Sequence, residues 1–517
     1  MSATSSEANV NTAAAPPPTR GAATLVVVLL AVFLVPMSIS GTAVALPAIS
    51  ASVGGGAAGQ QWVVNAFNLS FACFTLVWGS LADRFGRGRL FLFGAVIFAL
   101  GSIASAVAPT IAVLDGARAL AGLGGAAIFS CGSAIISSQF DGAARLRAFA
   151  LFGTTAGIGV ALGPTISGVL VDTTGWRAIF LVQTAVLVVV VLFAPVIGWS
   201  RPQNVTNHRF DTAGTVLFVL ALLALMVGIV EGQPWGWASP AVIGAFSASV
   251  ILLAAFIVVE SRTSAPLLDL ALLRHPRFLA LCLVPVAASF GFVTLLTYFP
   301  TFLQFVVGQS SLHAGSTVIL LTVPVVLGPI AAARAVGAGV RPLTVIWVSI
   351  AALLLGDLGL LLAGPDTAVA VIAVPLLLVG SGMGLSAGLV DGQALSLVSE
   401  DKAGMAAGVV NTLRLGSEAI AVALYASILT GVVTGRADSA TGSIDGVTDS
   451  AAIGAAAASG DPDAALRNVP VAAHEQVTSS VIDAYNSGFH ATLLAMTSIV
   501  AFLALVIAAL LRRGTER

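Results

Sequence analysis

GSLADRFGRGR, Gly79–Arg89, is a knot of charge between two apolar runs. Gln60–Leu81 upstream and Leu90–Val107 downstream are each long enough to cross a bilayer, for which about 20 apolar residues suffice. The knot is therefore a tight turn at a membrane face. Arg84, Arg87 and Arg89 in so short a loop place that face in the cytoplasm, because short loops dense in Lys and Arg stay inside.

Working outward, the rest of the 517 residues is of the same kind. The chain is 58% hydrophobic and 9% charged, with a mean hydropathy of +1.03. Soluble domains carry about 25% charged residues, so the composition implies an all-α polytopic membrane protein. Apolar runs separated by short polar breaks predict fourteen spans: 24–46, 60–81, 90–108, 112–137, 148–171, 178–198, 212–230, 241–259, 278–299, 315–333, 343–363, 368–397, 404–431 and 488–511. An even count with a cytoplasmic start returns the C-terminus to the cytoplasm. Arg145, Arg147, Arg201, Arg209, Arg262, Arg274, Arg277, Arg334, Arg341, Lys402, Arg512 and Arg513 then all fall inside, whereas Arg177, Arg436 and Arg467 fall outside. Residues 1–22 read as a disordered cytoplasmic tail, and their lack of a basic start argues against a signal peptide.

Several segments resemble the major facilitator superfamily, and in particular its fourteen-helix, proton-coupled drug exporter branch. Gly79, Leu81, Ala82, Asp83, Arg84, Gly86, Arg87 and Arg89 match the loop signature between its second and third helices. LDGARALAGLGGAA, with Arg118, Gly122 and Gly124, is similar to the signature of its fourth helix. GTTAGIGVALGPTISG, with Gly153, Gly157, Gly159, Gly163, Pro164 and Gly168, is similar to the glycine-rich antiporter helix. The first span closes on TAVALPAIS, but Ser38 stands where the branch commonly places an aspartate, which weakens direct transfer of its proton-coupling scheme. The resemblance implies two six-helix bundles, residues 23–200 and 278–511, joined by two inserted helices and a cytoplasmic linker over 201–277. It leaves an external loop over 435–487 and a short tail over 512–517. It also implies that Gly79, Asp83, Arg84, Gly86 and Arg87 form a cytoplasmic latch, and that the protein is a multi-pass resident of the plasma membrane.

The residues themselves point to a proton-handling site. Ionisable groups inside a bilayer cost roughly 2.5–3.5 kcal/mol each on insertion scales, so they should face protein or a wet cavity. Asp115 and Arg118 lie one turn apart, and either form a local ion pair near the outer interface or make Arg118 the group that tunes a carboxylate. Asp357 falls in the eleventh run and Asp391 in the twelfth; Asn411, Arg414 and Glu418 share one face of the thirteenth. Glu418 lies roughly 20 Å from the inner end of its helix. Arg414 and Glu418 are either a closed pair that positions helices or a protonatable carboxylate with its cation. The glycines of the fifth span likewise permit either plain close packing or the antiporter role. Gly435–Ser487, rich in Ala, Gly, Ser and Asp, reads as disordered or a small lid. The segment APLLDLALLRHPRF reads as a short amphipathic stretch on the inner surface.

Other chemistries lack their residues. No GxxxxGK[ST] occurs, and the single lysine, Lys402, follows Asp401, so ATP hydrolysis is not expected. His474-Glu475 begins an HExxH pattern, but Thr478 occupies the place of the second histidine. Cys73, Cys131 and Cys282 lie in apolar runs and read as packing groups. The expectation is a monomeric secondary transporter that needs no cofactor, ATP or nucleic acid, is driven by a proton gradient, and exports small amphipathic compounds. Glu418 and Asp391 are the titrating candidates and Arg414 and Arg118 their tuners. A flippase or importer on the same scaffold, and a non-transporting sensor, are the alternatives.

Overall fold

A computed structural model describes residues 18–54, 57–197, 211–263, 266–442, 444, 450–459, 465–467 and 469–513. Arg201, Arg209, His208, most of the N-terminal tail and residues 514–517 lie outside the described residues. In a bilayer every backbone N–H and C=O must be satisfied within its own segment, and the described residues meet that demand as helices.

The N-terminal group comprises α1 (Pro18–Val53), α2 (Ala57–Phe85), α3 (Arg87–Ala106), α4 (Ile111–Gln139), α5 (Gly142–Thr174) and α6 (Arg177–Phe193). Two helices then form a hairpin, α7 (Thr212–Val230) and α9 (Pro240–Glu260), with the single turn α8 (Gly232–Trp235) at its tip. After the short α10 (Leu270–Arg274), the C-terminal group begins with α11 (Pro276–Ala288), which runs through the π-turn Ser289–Val293 into α12 (Thr294–Phe305). It continues with α13 (Ser311–Gly337), α14 (Pro342–Gly359), α15 (Val369–Ser386), α16 (Leu389–Ser396), α17 (Ala403–Thr441), α18 (Ser450–Ser459) and α19 (His474–Arg513). Among the described residues, thirteen helical segments are long and apolar enough to cross a membrane. The seventeen-residue α6, continued by the 3-10 turn Ala194–Ile197, supplies a fourteenth apolar helix at the place expected for the sixth span.

Local chemistry sets the helix ends. The Ser239 hydroxyl accepts from the Val242 N–H at the start of α9, where Pro240 has no N–H to satisfy, and the Asp211 carboxylate accepts from the Gly214 N–H at 2.8 Å to open α7. Within the N-terminal group α2 and α3 pack on α4, and α1 on α5; within the C-terminal group α15 packs on α13 and α14, and α19 on α11 and α17. The groups meet through α2 against α17 and α5 against α13.

The core is asymmetric along the membrane normal. Toward the face of the Asp83 loop, one hydrophobic cluster runs through both groups, joining Val28, Phe91 and Phe149 to Ile350, Leu389 and Val409. Toward the opposite face the apolar interior divides. Ala45, Ile49, Val63, Leu114 and Phe180 form one cluster, and Phe299, Leu321, Leu376, Tyr425 and Phe489 belong to another confined to the C-terminal group. The molecule is closed at its Asp83 face.

Two sequence expectations change. The 435–487 segment is not a plain loop: α17 extends to Thr441, α19 begins at His474, and Ile444, Ile453, Ala457, Val469 and Val477 join the C-terminal core, so apolar side chains spaced through a polar composition hold it down. The presumed surface segment before α11 is helical only over Leu270–Arg274, and Leu267 and Leu268 are buried in the core that both groups share.

Candidate functional site: a paired cation at a broken helix

The twelfth span is interrupted. α15 ends at Ser386 and α16 begins at Leu389, with Gly388 between them at φ 75, a left-handed backbone that L side chains rarely adopt. A Cβ there would also collide with the Phe149 carbonyl of α5, and the Ala387 carbonyl lies 3.0 Å from where a Cβ on Gly153 would stand. The break is thus seated against the glycine-rich helix.

Asp391 occupies the first turn of α16, where the positive end of the helix dipole favours a carboxylate. Arg414 of α17 reaches it from the side: its Nη2 donates to Oδ1 and Oδ2, each at 2.9 Å, while Nη1 donates to the Asn411 Oδ1 at 2.9 Å. Asp391 and Asn411 are buried. Glu418, one turn further along α17, is half-buried and makes no hydrogen bond or ion pair with the described residues. The structure therefore pairs Arg414 with Asp391 and not with Glu418. Spacing along one helix could not show this, because the winning carboxylate comes from another span.

Arg118 is fully buried and does not make the local ion pair that the sequence offered as one alternative. It forms no ion pair with Asp115, whose Oδ1 is buried without a hydrogen-bond partner. Instead Nη1 donates to the Ser38 hydroxyl at 2.8 Å, Nη2 to the Ser38 carbonyl at 3.2 Å and Nε to the Val63 carbonyl at 3.1 Å. The Phe67 and Phe180 rings flank the guanidinium at 4.5 and 5.6 Å, and the Ser38 hydroxyl donates on to the Gln183 Oε1 at 3.2 Å. Ser38 thus stands at the guanidinium, though it contributes dipoles where a carboxylate would contribute charge.

At the closed face Asp83 caps a helix of the other group. Its Oδ1 and Oδ2 accept from the Gly404 and Met405 N–H groups at the start of α17, both at 2.9 Å. Arg87 braces the same carboxylate at 3.0 Å, donates to the Glu400 carbonyl and reaches the Ala134 carbonyl at 3.4 Å. Gly79 and Gly404 press backbone to backbone, so that a Cβ on either would strike the carbonyl of the other. Arg84 and Gly86 flank this junction at the end of α2.

The linker behind it is tied to the same helix. Lys402 donates to the Asp269 Oδ2 at 2.6 Å, the Asp269 N–H meets the Met405 sulfur at 3.2 Å, and the Leu268 N–H lies 3.4 Å from the Glu260 Oε1. The hydrogen bond from Lys402 holds the Asp269 carboxyl below its ordinary range, against a smaller upward push from burial. Lys402, Met405 and Asp269 were not legible as a site, since each is ordinary in its own segment. The tie between Trp62 Nε1 and Glu231 Oε1, 2.7 Å, which fastens the inserted hairpin to α2, was equally hidden.

In α5, Gly159 lies against α1, where a Cβ would stand 2.6 Å from the Phe33 carbonyl and 2.7 Å from Pro36; Gly163 faces Met37 and Ser40, and Gly168 lies near Val44. Pro164 stands within that helix. Thr154 of α5 donates across the group boundary to the Val326 carbonyl at 3.0 Å. Among the described residues no group of three or more metal-ligating side chains occurs.

Comparison with known proteins agrees with this architecture. Residues 28–422 match the family model described as Major Facilitator Superfamily. The chain is 34% identical over 406 residues to the multidrug resistance protein Stp of Mycobacterium tuberculosis, covering 77% of this chain and 74% of that one. It is 30% identical over 491 residues to the multidrug efflux pump LfrA of Mycolicibacterium smegmatis, covering 94% and 95%. The crystal structure of the human organic anion transporter MFSD10 (TETRAN) superposes with a TM-score of 0.57 over 94% of this chain and all of its own, at 14% identity, a likeness of fold. The chain belongs to the major facilitator superfamily, in its drug-efflux branch, and is a multi-span membrane transporter of small molecules, not an enzyme.

Proposed function

We propose that the chain exports small apolar or amphipathic compounds from the cytoplasm across the plasma membrane in exchange for protons, by rocking its two six-helix groups in alternation. It works as a monomer with both termini in the cytoplasm and needs no ATP. The efflux relatives support the direction and the substrate class.

The observation that carries the coupling is Arg414, bonded to Asp391 with Glu418 free one turn further on. Protonating Asp391 removes the charge that holds the guanidinium, which then has Glu418 within reach at i, i+4 on its own helix. Arg414 moves between two carboxylates, and only one of them is ionised and paired at a time. A buried cation cannot be left unpaired cheaply, so the proton on one carboxylate and the position of Arg414 are linked. Because Asp391 sits beside the break at Gly388, seated on α5, releasing Arg414 loosens the contact that joins the two groups. A ligand or proton shifts such an equilibrium only through its different affinity for the two states, and this pair provides that difference.

The test is proton flux in vesicles reconstituted with the full chain under an imposed pH gradient, with a panel of lipophilic drugs and dyes. Drug-dependent proton movement is expected, and Glu418→Gln is expected to abolish it with insertion intact. Drug movement that ignores the gradient, or full flux in Glu418→Gln, refutes the coupling.

A further inference from the structure

A third carboxylate in the C-terminal group stands apart from Asp391, Glu418 and the Arg414 they flank. Asp357, five residues before the end of the span Pro342–Leu362, is fully buried, and neither of its oxygens has a hydrogen-bond partner among the described residues. A buried carboxylate persists when it is paired or hydrogen-bonded, and Asp357 is neither. Its surroundings offer no counter-ion. α15 and the π-turn, both packed on α14, bring no ionisable side chain. Asp391 of α16 is bonded to Arg414, while Arg277 of α11 and Arg334 of α13 lie at the opposite end of the span. His490 of α19 is bonded to the Ala363 carbonyl at 2.7 Å, six residues further along the chain. Tyr425 of α17 interacts electrostatically with Asp357, and its buried hydroxyl likewise has no partner.

The wall against the carboxyl is unusual. It is Gly291, central in the π-turn Ser289–Val293, and a Cβ added there would stand 3.0 Å from the Asp357 Oδ2. The π-turn is also fastened to the helix that carries the Arg414 pair. The Ser289 hydroxyl lies 2.9 Å from the Ser417 hydroxyl, which donates to the Arg414 carbonyl at 2.7 Å. A single turn of wide helix inside a regular span is a known place for local rearrangement at functional sites. Here it links the environment of Asp357 to the backbone of Arg414.

We propose that Asp357 is a second proton-binding carboxyl, occupied by a proton in this conformation, and that the π-turn is the element that uncovers it when Arg414 moves. The charged form would stand with no cation and no hydrogen-bond donor bonded to it among the described residues, so the neutral acid is the form this packing accepts. No bond is made or broken beyond the O–H: the proton enters from water when the site is open and leaves to water when it opens again. This deepens the exchange reading by adding a second proton per cycle, and it rests on that reading for its place in the cycle.

The experiment is infrared difference spectroscopy of the purified full chain in lipid vesicles at neutral pH, wild type minus Asp357→Asn. Expected is the carbonyl stretch of a protonated carboxylic acid in the wild type, lost in the variant. No such band in the difference means that Asp357 is ionised, and the proposal is overturned. Should Asp357→Asn fail to fold, Gly291→Ala serves instead: its added methyl presses on Oδ2 and must shift that band, and an unmoved band overturns the proposal equally. The spectrum needs no substrate, so it reports on Asp357 even if the drug-export reading fails. In transporting vesicles Asp357→Asn should lower the proton-to-drug ratio by one, and an unchanged ratio removes Asp357 from the cycle.

Discussion

Asp391 is buried and its partner Arg414 mostly so, with 6% and 16% of their side chains exposed, so deleting one charge strands the other. Asp391→Asn is expected to lower the stability of the purified protein by about 3–5 kcal/mol, the usual cost of breaking a buried pair from one side. It should also suppress drug-driven proton uptake. Thermal unfolding in detergent checks the first effect and vesicle flux the second; a stable, fully active variant would show that the pair is dispensable. The candidates Asp391, Arg414, Glu418, Asp357 and Arg118 were legible from sequence because charge inside an apolar run is conspicuous. Their partners were not. Helical periodicity relates residues along one span, whereas Asp391 meets Arg414, and Ser38 meets Arg118, from different spans.

Among the elements, α17 links the two groups. Its first turn is capped by a carboxylate from α2, and its middle carries the cation that Asp391 holds. A helix N-terminus leaves donors unsatisfied, and Asp83 fills two of them from across the boundary. Asp83→Asn keeps the shape but loses the charge, and is expected to weaken the closed state by about 1 kcal/mol, roughly fivefold in population. Slower turnover with unchanged drug binding is the expected reading in flux and equilibrium binding assays. Loss of binding would place Asp83 outside the gate. The loop sequence alone marked this turn as special, yet its target was invisible, since Gly404 and Met405 contribute only backbone and small size. Conversely, the existence and order of the spans were readable, because length and hydropathy suffice for a helix in lipid, although α1, α17 and α19 run well past the predicted bounds. The α15/α16 break was missed: a lone Gly388 in an apolar run carries no signal until φ is known.

For the whole molecule, the core that both groups share at the Asp83 face must part on each cycle, and the ties around it determine how readily it does so. The Asp269 carboxyl is held below its ordinary value by Lys402, so the tie it makes is present above that value. It is lost as pH falls through the depressed one. Hydrogen exchange over residues 266–275, corrected for its intrinsic rate, should therefore stay slow from neutral to mildly acidic conditions. Lys402→Ala should release the segment already at neutral pH, and equal protection in that variant would show that the packing of Leu267 and Leu268 suffices without the tie. The contact of Arg118 with Ser38 reaches further. One half of the transporter buries a guanidinium with no carboxylate bonded to it, while in the other the guanidinium of Arg414 is bonded to Asp391, so the two halves are electrically unlike. Ser38→Asp would give that guanidinium an anion at hydrogen-bonding distance and make the halves alike. We expect it to fold, to add a titration step to the pH profile of efflux, and to tilt the range of expelled compounds toward cations, measurable by comparing cationic and neutral dyes of equal size.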